Sequence, residues 1–563
     1  MEHVRTEWEA VRPEYEQLGG RGLIAAILLN EVPPQCDPLG PNNKLIFAPG
    51  LLGGTSVSSS GRLSVGGKSP LTGGVKEANS GGSGGSDLAR LGIKALVVEG
   101  RPAEGKLYQL RVTKEGAGLL PADELRGLGT YETVGRVRER WGADCTVISI
   151  GQSGEFLMGA AGVACTGVGE QDCRVAARGG LGSLMGSKGL KAVVLDTSSA
   201  EPVPLADPEL FRASARRFAS ELIESPKTGR KGAMHTYGTS AIVAAVNEMG
   251  AFPTRNFSAG SFEEADNLTG QRLREITLER GGKVGTTCMA GCVIACCNVF
   301  VDEGGKPIVS TLQYETIGLL GSNLGLGSLD AVARLNRLCN DYGLDSIEAG
   351  AALGVAAEAG LARFGDEASF AALLDEIARG SVLGRVLGQG AAVAGRVLGV
   401  SRVPVARGQA MPAYDPRALK GNGVTYGSSP MGADHTAGNA FGARNEVDPL
   451  GVEGQRELSL KLQLGAAMLD ATGLCLFARP PVFGDPQLMV DLINGRFGWD
   501  WSVADLEEMK KTVIRTELAF NEQAGHTAAD ARMPEYMTRE PLPPHGTVFD
   551  VPDSEMDGVF ADL

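Results

Sequence analysis

Cys288, Cys292 and Cys296 are spaced three residues apart, and a fourth cysteine, Cys475, closes the run Asp470-Ala-Thr-Gly-Leu-Cys475 far downstream. A [4Fe-4S] cube takes one external thiolate per iron, so a bunched trio plus a remote fourth is the set such a cluster needs. If the four share one centre, the chain must fold back across the whole interval between them. The same thiolates suit zinc, and small buried cysteines are the plainest alternative. A radical S-adenosylmethionine site usually spaces its cysteines three then two residues apart, whereas here the spacing is three then three. Cys297 adjoins Cys296 and is its rival as the third ligand.

The other cysteines and the overall charge narrow the class. With four of ten cysteines crowded between residues 288 and 297, the chain lacks the even spread of a secreted disulfide framework. Cys36, Cys145, Cys165, Cys173 and Cys339 read as small buried hydrophobes. A net charge of -14 argues against nucleic acid as a partner, because phosphate neutralisation relies on clustered Lys and Arg. The start, Met1-Glu-His-Val-Arg, lacks the basic and apolar regions of a secretory signal, and no run of about 18 apolar residues occurs. A soluble cytoplasmic protein with no membrane span is expected.

At 563 residues the chain exceeds what one core supports. Up to about residue 204, short apolar runs alternate with glycine turns, at 44–47, 95–98, 107–112, 146–150 and 191–195, the texture of a strand-rich domain. From about Ala206 helical spacing takes over, at 207–224, 328–340, 345–363 and 369–399. Pro202 and Pro204 mark one boundary and the Pro404 to Pro416 stretch a second. The expected fold class is α+β, a strand-rich two-sheet base over 1–204 followed by mainly helical domains over 205–403 and 404–563.

Two helical segments end alike, in Asn340-Asp-Tyr-Gly-Leu-Asp345 and in Asp470-Ala-Thr-Gly-Leu-Cys475. Gly343 and Gly473 would let the chain leave each helix through a left-handed conformation, so that polar residues on either side face one small pocket. The plain alternative is a helix junction, since Asp345 followed by Glu348 also reads as a capping box. Glycine, at 80 residues, is about twice the roughly 7% norm, and two segments, 69–85 and 178–188, could offer backbone N–H groups to phosphate. Neither has the signature of a nucleotide loop.

In this order the pieces resemble the aldehyde ferredoxin oxidoreductase family of tungsten enzymes. The resemblance covers nearly the whole chain. It rests on Gly19-Gly-Arg-Gly-Leu23, Asp37-Pro-Leu-Gly-Pro-Asn-Asn-Lys-Leu-Ile-Phe47, Lys68-Ser-Pro-Leu-Thr-Gly-Gly74, Ala177-Arg-Gly-Gly-Leu-Gly182, Pro253-Thr-Arg-Asn256, Glu315-Thr-Ile317, Gly343-Leu-Asp345, Pro412-Ala-Tyr-Asp-Pro-Arg417 and Gly473-Leu-Cys475.

The resemblance implies tungsten or molybdenum held by the dithiolene sulfurs of two molybdopterins, with Mg2+ as a bridge between pterin phosphates, and a [4Fe-4S] cluster beside one pterin. The implied cluster ligands are Cys288, Cys292, Cys296 and Cys475. The implied pterin contacts are Lys76, Arg178, Gly179 and Gly180, then Asn340, Gly343, Leu344 and Asp345 on one side and Asp470, Gly473 and Leu474 on the other. Glu315 and His435 match the family's acidic and imidazole residues beside the substrate. Three departures are visible: three residues rather than two between the first cysteines, Asn340 where Asp is typical, and Lys76 where Arg is usual.

The implied reaction is oxidation of an aldehyde to a carboxylic acid, with electrons leaving through the cluster to ferredoxin or a ferredoxin-like subunit. A homo-oligomer or a hetero-complex is compatible with this. Two alternatives are the catalytic subunit of a divergent member acting on an aryl or acyl-CoA thioester, and a non-catalytic iron–sulfur electron-transfer subunit.

Overall fold

A computed structural model describes residues 4–168 and 173–563. Met1 to His3, the first residues of the amino-terminal reading, lie outside it. The amino-terminal part is built on two sheets. The first joins β1 (Leu45–Pro49), β2 (Leu63–Lys68), β3 (Val75–Ser80) and β4 (Leu96–Val98) in the order β3-β2-β1-β4, with Phe47 opposite Val65 and Val65 opposite Ala78.

The second sheet joins β5 (Tyr108–Val112), β6 (Ala117–Pro121), β7 (Thr146–Ser149), β8 (Val163–Thr166), β9 (Cys173–Ala176) and β10 (Leu190–Leu195) in the order β6-β5-β10-β7-β8-β9. Phe47, Val65, Ile148, Val163 and Val193 share one core between the sheets. Each of the five apolar runs read as strands lies in this base. The glycine-rich and polar runs of β2 and β3 carry no alternation because nearly every residue in them is buried.

Beyond the base the chain is mainly helical, as the spacing predicts, and the class is α+β. Helices span Pro208–Glu224, Leu329–Tyr342, Ser346–Glu358, Gln455–Thr472 and Val503–Gln523. The segment 369–399 is not one helix but belongs to three, Glu367–Arg379, Val382–Gly388 and Ala391–Leu398. Gly380 ends the first in a left-handed conformation at φ 64°, and Gly390 at φ 95° precedes the third. A second departure is a three-stranded antiparallel sheet, Lys283–Thr286, Cys297–Val301 and Pro307–Ser310, inside the region read as helical. Its signal was local: the run Asn298-Val-Phe-Val301 is followed by a Gly304-Gly305 turn.

The largest apolar core packs residues from both sides of Pro404, including Leu353, Val355, Met411, Tyr414 and Val424. A second core ties Leu51, Leu52 and Val57 of the base to Phe211, Leu474 and Ile514. The two ends of the chain meet in the interior. Arg21, on the helix Gly20–Glu31, donates Nε to Glu517 Oε1 at 2.7 Å and Nη2 to Oε2 at 2.8 Å, with both side chains buried. Among the described residues no helix is long and apolar enough to cross a membrane. Cys145, Cys165, Cys173 and Cys339 are buried as read, while Cys36 is half-buried.

Candidate functional site

Each Gly-Leu turn sits on one sheet of the base. The helix Leu329–Tyr342 ends at Gly343, φ 74°, whose carbonyl accepts from Gly162 N at 2.8 Å. Asp345 N donates to Ala160 O at 2.8 Å, and Leu344 bridges to Ala161. The Asp345 carboxylate caps the next helix through Ile347 N at 2.9 Å and accepts from Arg178 Nε at 3.2 Å. The capping box is not formed. Glu348 turns away instead and accepts from Ala391 N at 3.0 Å and Ala410 N at 2.8 Å. Asn340 faces elsewhere, its carbonyl taking Thr130 Oγ1 at 2.8 Å and its amide lying 3.5 Å from Tyr131 Oη.

The helix Gln455–Thr472 ends in the same way at Gly473, φ 79°, against the first sheet. Leu51 N and Leu52 N donate to Ala471 O and Thr472 O at 3.1 and 3.0 Å, and Arg62 N donates to Gly473 O at 3.2 Å. The Asp470 carboxylate accepts from Asn79 Nδ2 at 2.9 Å and from Arg21 Nη1 at 3.3 Å. Burial pushes its carboxyl up to about 6 against the pull of Arg21 and Arg62. Leu474 is fully buried.

Cys475 comes back to the trio through one residue. Ser59 O accepts from Cys475 N at 2.9 Å, while Ser59 Oγ donates to Cys292 Sγ at 3.2 Å. Ser59 does so in a left-handed conformation, φ 63°, which a non-glycine residue seldom adopts. Cys297 lies beside Cys288 and Cys296, and burial raises the Cys475 thiol, with Arg62 opposing the shift. Cys288, Cys292, Cys296 and Cys475 are half-buried, whereas Cys297 opens a strand and is buried. Among the described residues no three His, Cys, Asp or Glu side chains are arranged around a single ion. The candidate set is all thiol, and four thiolates are what a [4Fe-4S] cluster takes. Beside it, Ala290 and Gly291 are exposed.

Glu315 and His435 face each other deeper in. Glu315 Oε2 accepts from Ala413 N at 2.7 Å. Its Oε1 has no hydrogen-bond partner and lies 3.4 Å from His435 Nε2. Burial raises the Glu315 carboxyl above the ordinary glutamate value, with His435 opposing the shift. His435 Nδ1 is also unpartnered, 3.8 Å from Asp434 Oδ1. Asp434 pairs with Lys76 Nζ at 2.7 Å and, beside Lys76 and Arg178, is held well below the usual carboxylate range despite its burial.

Arg178 reaches the same region from the base. It donates to Ala433 O and Ala410 O as well as to Asp345. Gly179 and Gly180, at φ 82° and 73°, carry the chain past Lys76, whose Cγ a Cβ on Gly179 would meet at 2.3 Å. The structure therefore brings Lys76, Arg178, Gly179, Asp345, Glu315 and His435 into one region, and Asp470, Gly473 and the cysteines into a second beside the first sheet.

Several of these groups are deep in the protein yet keep open surface. Asp470, Glu315 and His435 retain 13%, 12% and 18% of their side-chain surface. Unpartnered atoms, Glu77 Oε1, Glu315 Oε1 and His435 Nδ1, come from three different elements. Buried polar atoms without partners are costly, and a polar guest would satisfy them. Cations at Arg62, Lys76 and Arg178 suit phosphate groups on such a guest. The donor set and these orphaned atoms fit a pterin cofactor with an iron–sulfur cluster at one end.

The sequence reading missed Arg62, which acts on both Asp470 and Cys475, and Asn79, which holds Asp470. It also gave no role to Ser59, Asp434 or Glu77. Glu77 is fully buried beside Asp470, and its carboxyl is pushed up to about 8. Asn79 lay within a glycine-rich segment already singled out. Arg62 and Ser59 had no motif to mark them.

Residues 1–197 match the family described as "Aldehyde ferredoxin oxidoreductase, N-terminal domain" and residues 214–559 that described as "Aldehyde ferredoxin oxidoreductase, domains 2 & 3". The chain is 33% identical over 555 residues to a tungsten-containing aldehyde ferredoxin oxidoreductase of Thermococcus kodakarensis, covering 93% of this chain and 88% of the relative. It is 32% identical over 553 residues to the protein of that name from Pyrococcus furiosus, with the same coverage. Its fold is similar to that of a chain in the active-site complex BamBC of benzoyl coenzyme A reductase, solved with 1,5-dienoyl-CoA. That likeness has a TM-score of 0.79 at 20% identity and covers 99% of this chain and 91% of the other.

Proposed function

Because the chain belongs to the aldehyde ferredoxin oxidoreductase family and is an oxidoreductase, we propose that it oxidises an aldehyde to its carboxylic acid and passes the electrons to a ferredoxin-like acceptor. The observation that most supports this reading is that Ser59 touches Cys292 and Cys475 at once, beside the Asp470 turn. Cys288, Cys292, Cys296 and Cys475 would hold the cluster. Arg178 with Asp345, and Arg62 with Asp470 and Asn79, would hold the two pterins, with Lys76 completing the cationic wall. When bound, the metal bis-molybdopterin supplies two-electron oxidation and the cluster one-electron exit.

The protein's own part is proton handling and exclusion of water. An aldehyde and water become a carboxylic acid with loss of an electron pair and of protons, so a base is needed where the substrate sits. Glu315 Oε1 is unpartnered and buried, and burial raises its carboxyl, which suits it to accept a proton. His435 Nε2, 3.4 Å away, orients that carboxylate and can donate to a carbonyl oxygen. The buried tyrosines Tyr314 and Tyr414 pack at a tilt, 4.9 Å between ring centres, beside them and would exclude water.

The test is metal analysis of protein produced with tungsten and molybdenum both available, paired with aldehyde-dependent reduction of a viologen dye. Bound pterin, one of the two metals and aldehyde oxidation are expected. Iron without pterin, tungsten or molybdenum would remove the catalytic reading.

A further inference from the structure

Apart from the region above, the protein has a cavity of about 480 Å³ that opens beside Gly525 and Asp530. Four parts of the chain meet there: Pro38, residues 68–73 of the base, the hairpin whose paired residues are Val405 with Ala410 and Ala406 with Gln409, and the segment 524–530 after the helix Val503–Gln523. Thr72, which lines it, lies against Gly432, and neither Asp434 nor His435 is among the lining residues.

The hairpin's turn is the unusual part. Only Arg407 and Gly408 lie between the paired residues, at φ 51° and 78°. A two-residue turn with both residues left-handed prefers Asn, Asp or Gly at its first position. Arginine there is strained, and strain of this kind points to use. The guanidinium gains little from the protein in return. Its Nε is buried without a hydrogen-bond partner, and Nη1 reaches Ser429 O only at 3.4 Å.

A second orphan lines the same cavity. His526 Nδ1 is buried and unpartnered, while the opposite edge of its ring lies against Gly73. Lys68 Nζ is held at the wall by Pro34 O and Cys36 O, which leaves its charge without a carboxylate partner. Asp530 is the carboxylate among the lining residues; its Oδ2 accepts from Thr527 N at 2.7 Å and Thr527 Oγ1 at 3.2 Å, and its charge acts on Arg407 and His526. Arg407, Lys68 and His526 thus line one space, the first and last each with an unused buried nitrogen, against the single carboxylate of Asp530. The volume is that of a small-molecule pocket, and Pro38, Val405 and Ala524 give it an apolar side.

We propose that this cavity binds a small organic anion, a phosphate- or carboxylate-bearing molecule whose charged head is taken by Arg407 and His526. This goes beyond the aldehyde chemistry and does not depend on it.

Calorimetric titration of the intact, anaerobically purified protein with inorganic phosphate, glycerol 3-phosphate and succinate tests it. At least one probe should bind with one site per chain, and the preferred probe identifies the phosphate or the carboxylate source. Arg407→Asn suits the turn, so the fold and the aldehyde activity should stand while affinity falls at least tenfold. His526→Gln should weaken the same probe. No binding of any probe to the wild type, or equal affinity in the wild type and both variants, overturns the proposal.

Discussion

Gly50 and Gly473 meet backbone to backbone. A Cβ on Gly50 would lie 2.0 Å from Gly473 N, and one on Gly473 would lie 3.0 Å from Ser60 O. The turn that carries Cys475 is thereby pressed directly onto the loop after β1, with no side chain between them.

Gly50→Ala should push that turn off the base. Overpacking of this sort costs about 1–3 kcal/mol. Thermal unfolding should show the loss, and iron per chain should fall with it. Unchanged stability and iron would mean the contact is slack.

Glu315→Gln should lower aldehyde turnover by roughly 10²- to 10⁴-fold, the usual share of general acid–base catalysis. Metal, pterin and iron content should match the wild type, because the change keeps the side chain's shape. Near-normal turnover would take Glu315 out of the reaction.

The pH profile should carry the same carboxyl. Burial raises the Glu315 carboxyl, and the active base is its ionised form, so activity rises as pH climbs through a value above the ordinary glutamate figure of about 4.3. His435 opposes that shift, so His435→Gln should move the acid limb of kcat/KM to higher pH. A limb that stays put would show that the pair does not set the profile.

Lys76→Met should leave Asp434 buried without its cation and destabilise the protein by about 3–5 kcal/mol. Adding Asp434→Leu should recover most of the loss in denaturant unfolding. The Asp434 carboxyl is depressed in the fold, so its contribution is present above the usual aspartate range and disappears as pH falls through the depressed value.

Cys297→Ser should keep the iron that Cys475→Ser loses. Cys297 is buried at the head of a strand, paired across to Thr286, while Cys475 is half-buried on the turn beside Ser59. Iron analysis with electron paramagnetic resonance of the reduced protein reads both. The opposite ranking would make Cys297 the ligand and Cys296 the bystander.

The strands at 44–47 and 191–195 were legible because β-branched and apolar runs were bounded by glycine. The turns at Gly343 and Gly473 were legible because a helix repeat broke at the same place twice. Arg62 was not, since its importance comes from where β2 lies relative to Cys475, a distance no local pattern encodes. Glu348 was misread for the same reason. Its spacing from Asp345 suited a cap, but the backbone of Ala391 and Ala410 competes for it and wins. The helix 369–399 failed at Gly380 and Gly390, where apolar periodicity continues through residues that interrupt the backbone.

The clasp between Arg21 and Glu517 also sets a timetable. A ribosome makes the base first and must deliver nearly all of the chain before the carboxylate for Arg21 emerges. Until then the guanidinium lacks the carboxylate that pairs with it in the finished fold. The newborn protein thus spends most of its synthesis without this clasp, and the helix Val503–Gln523, made near the end, is the latch.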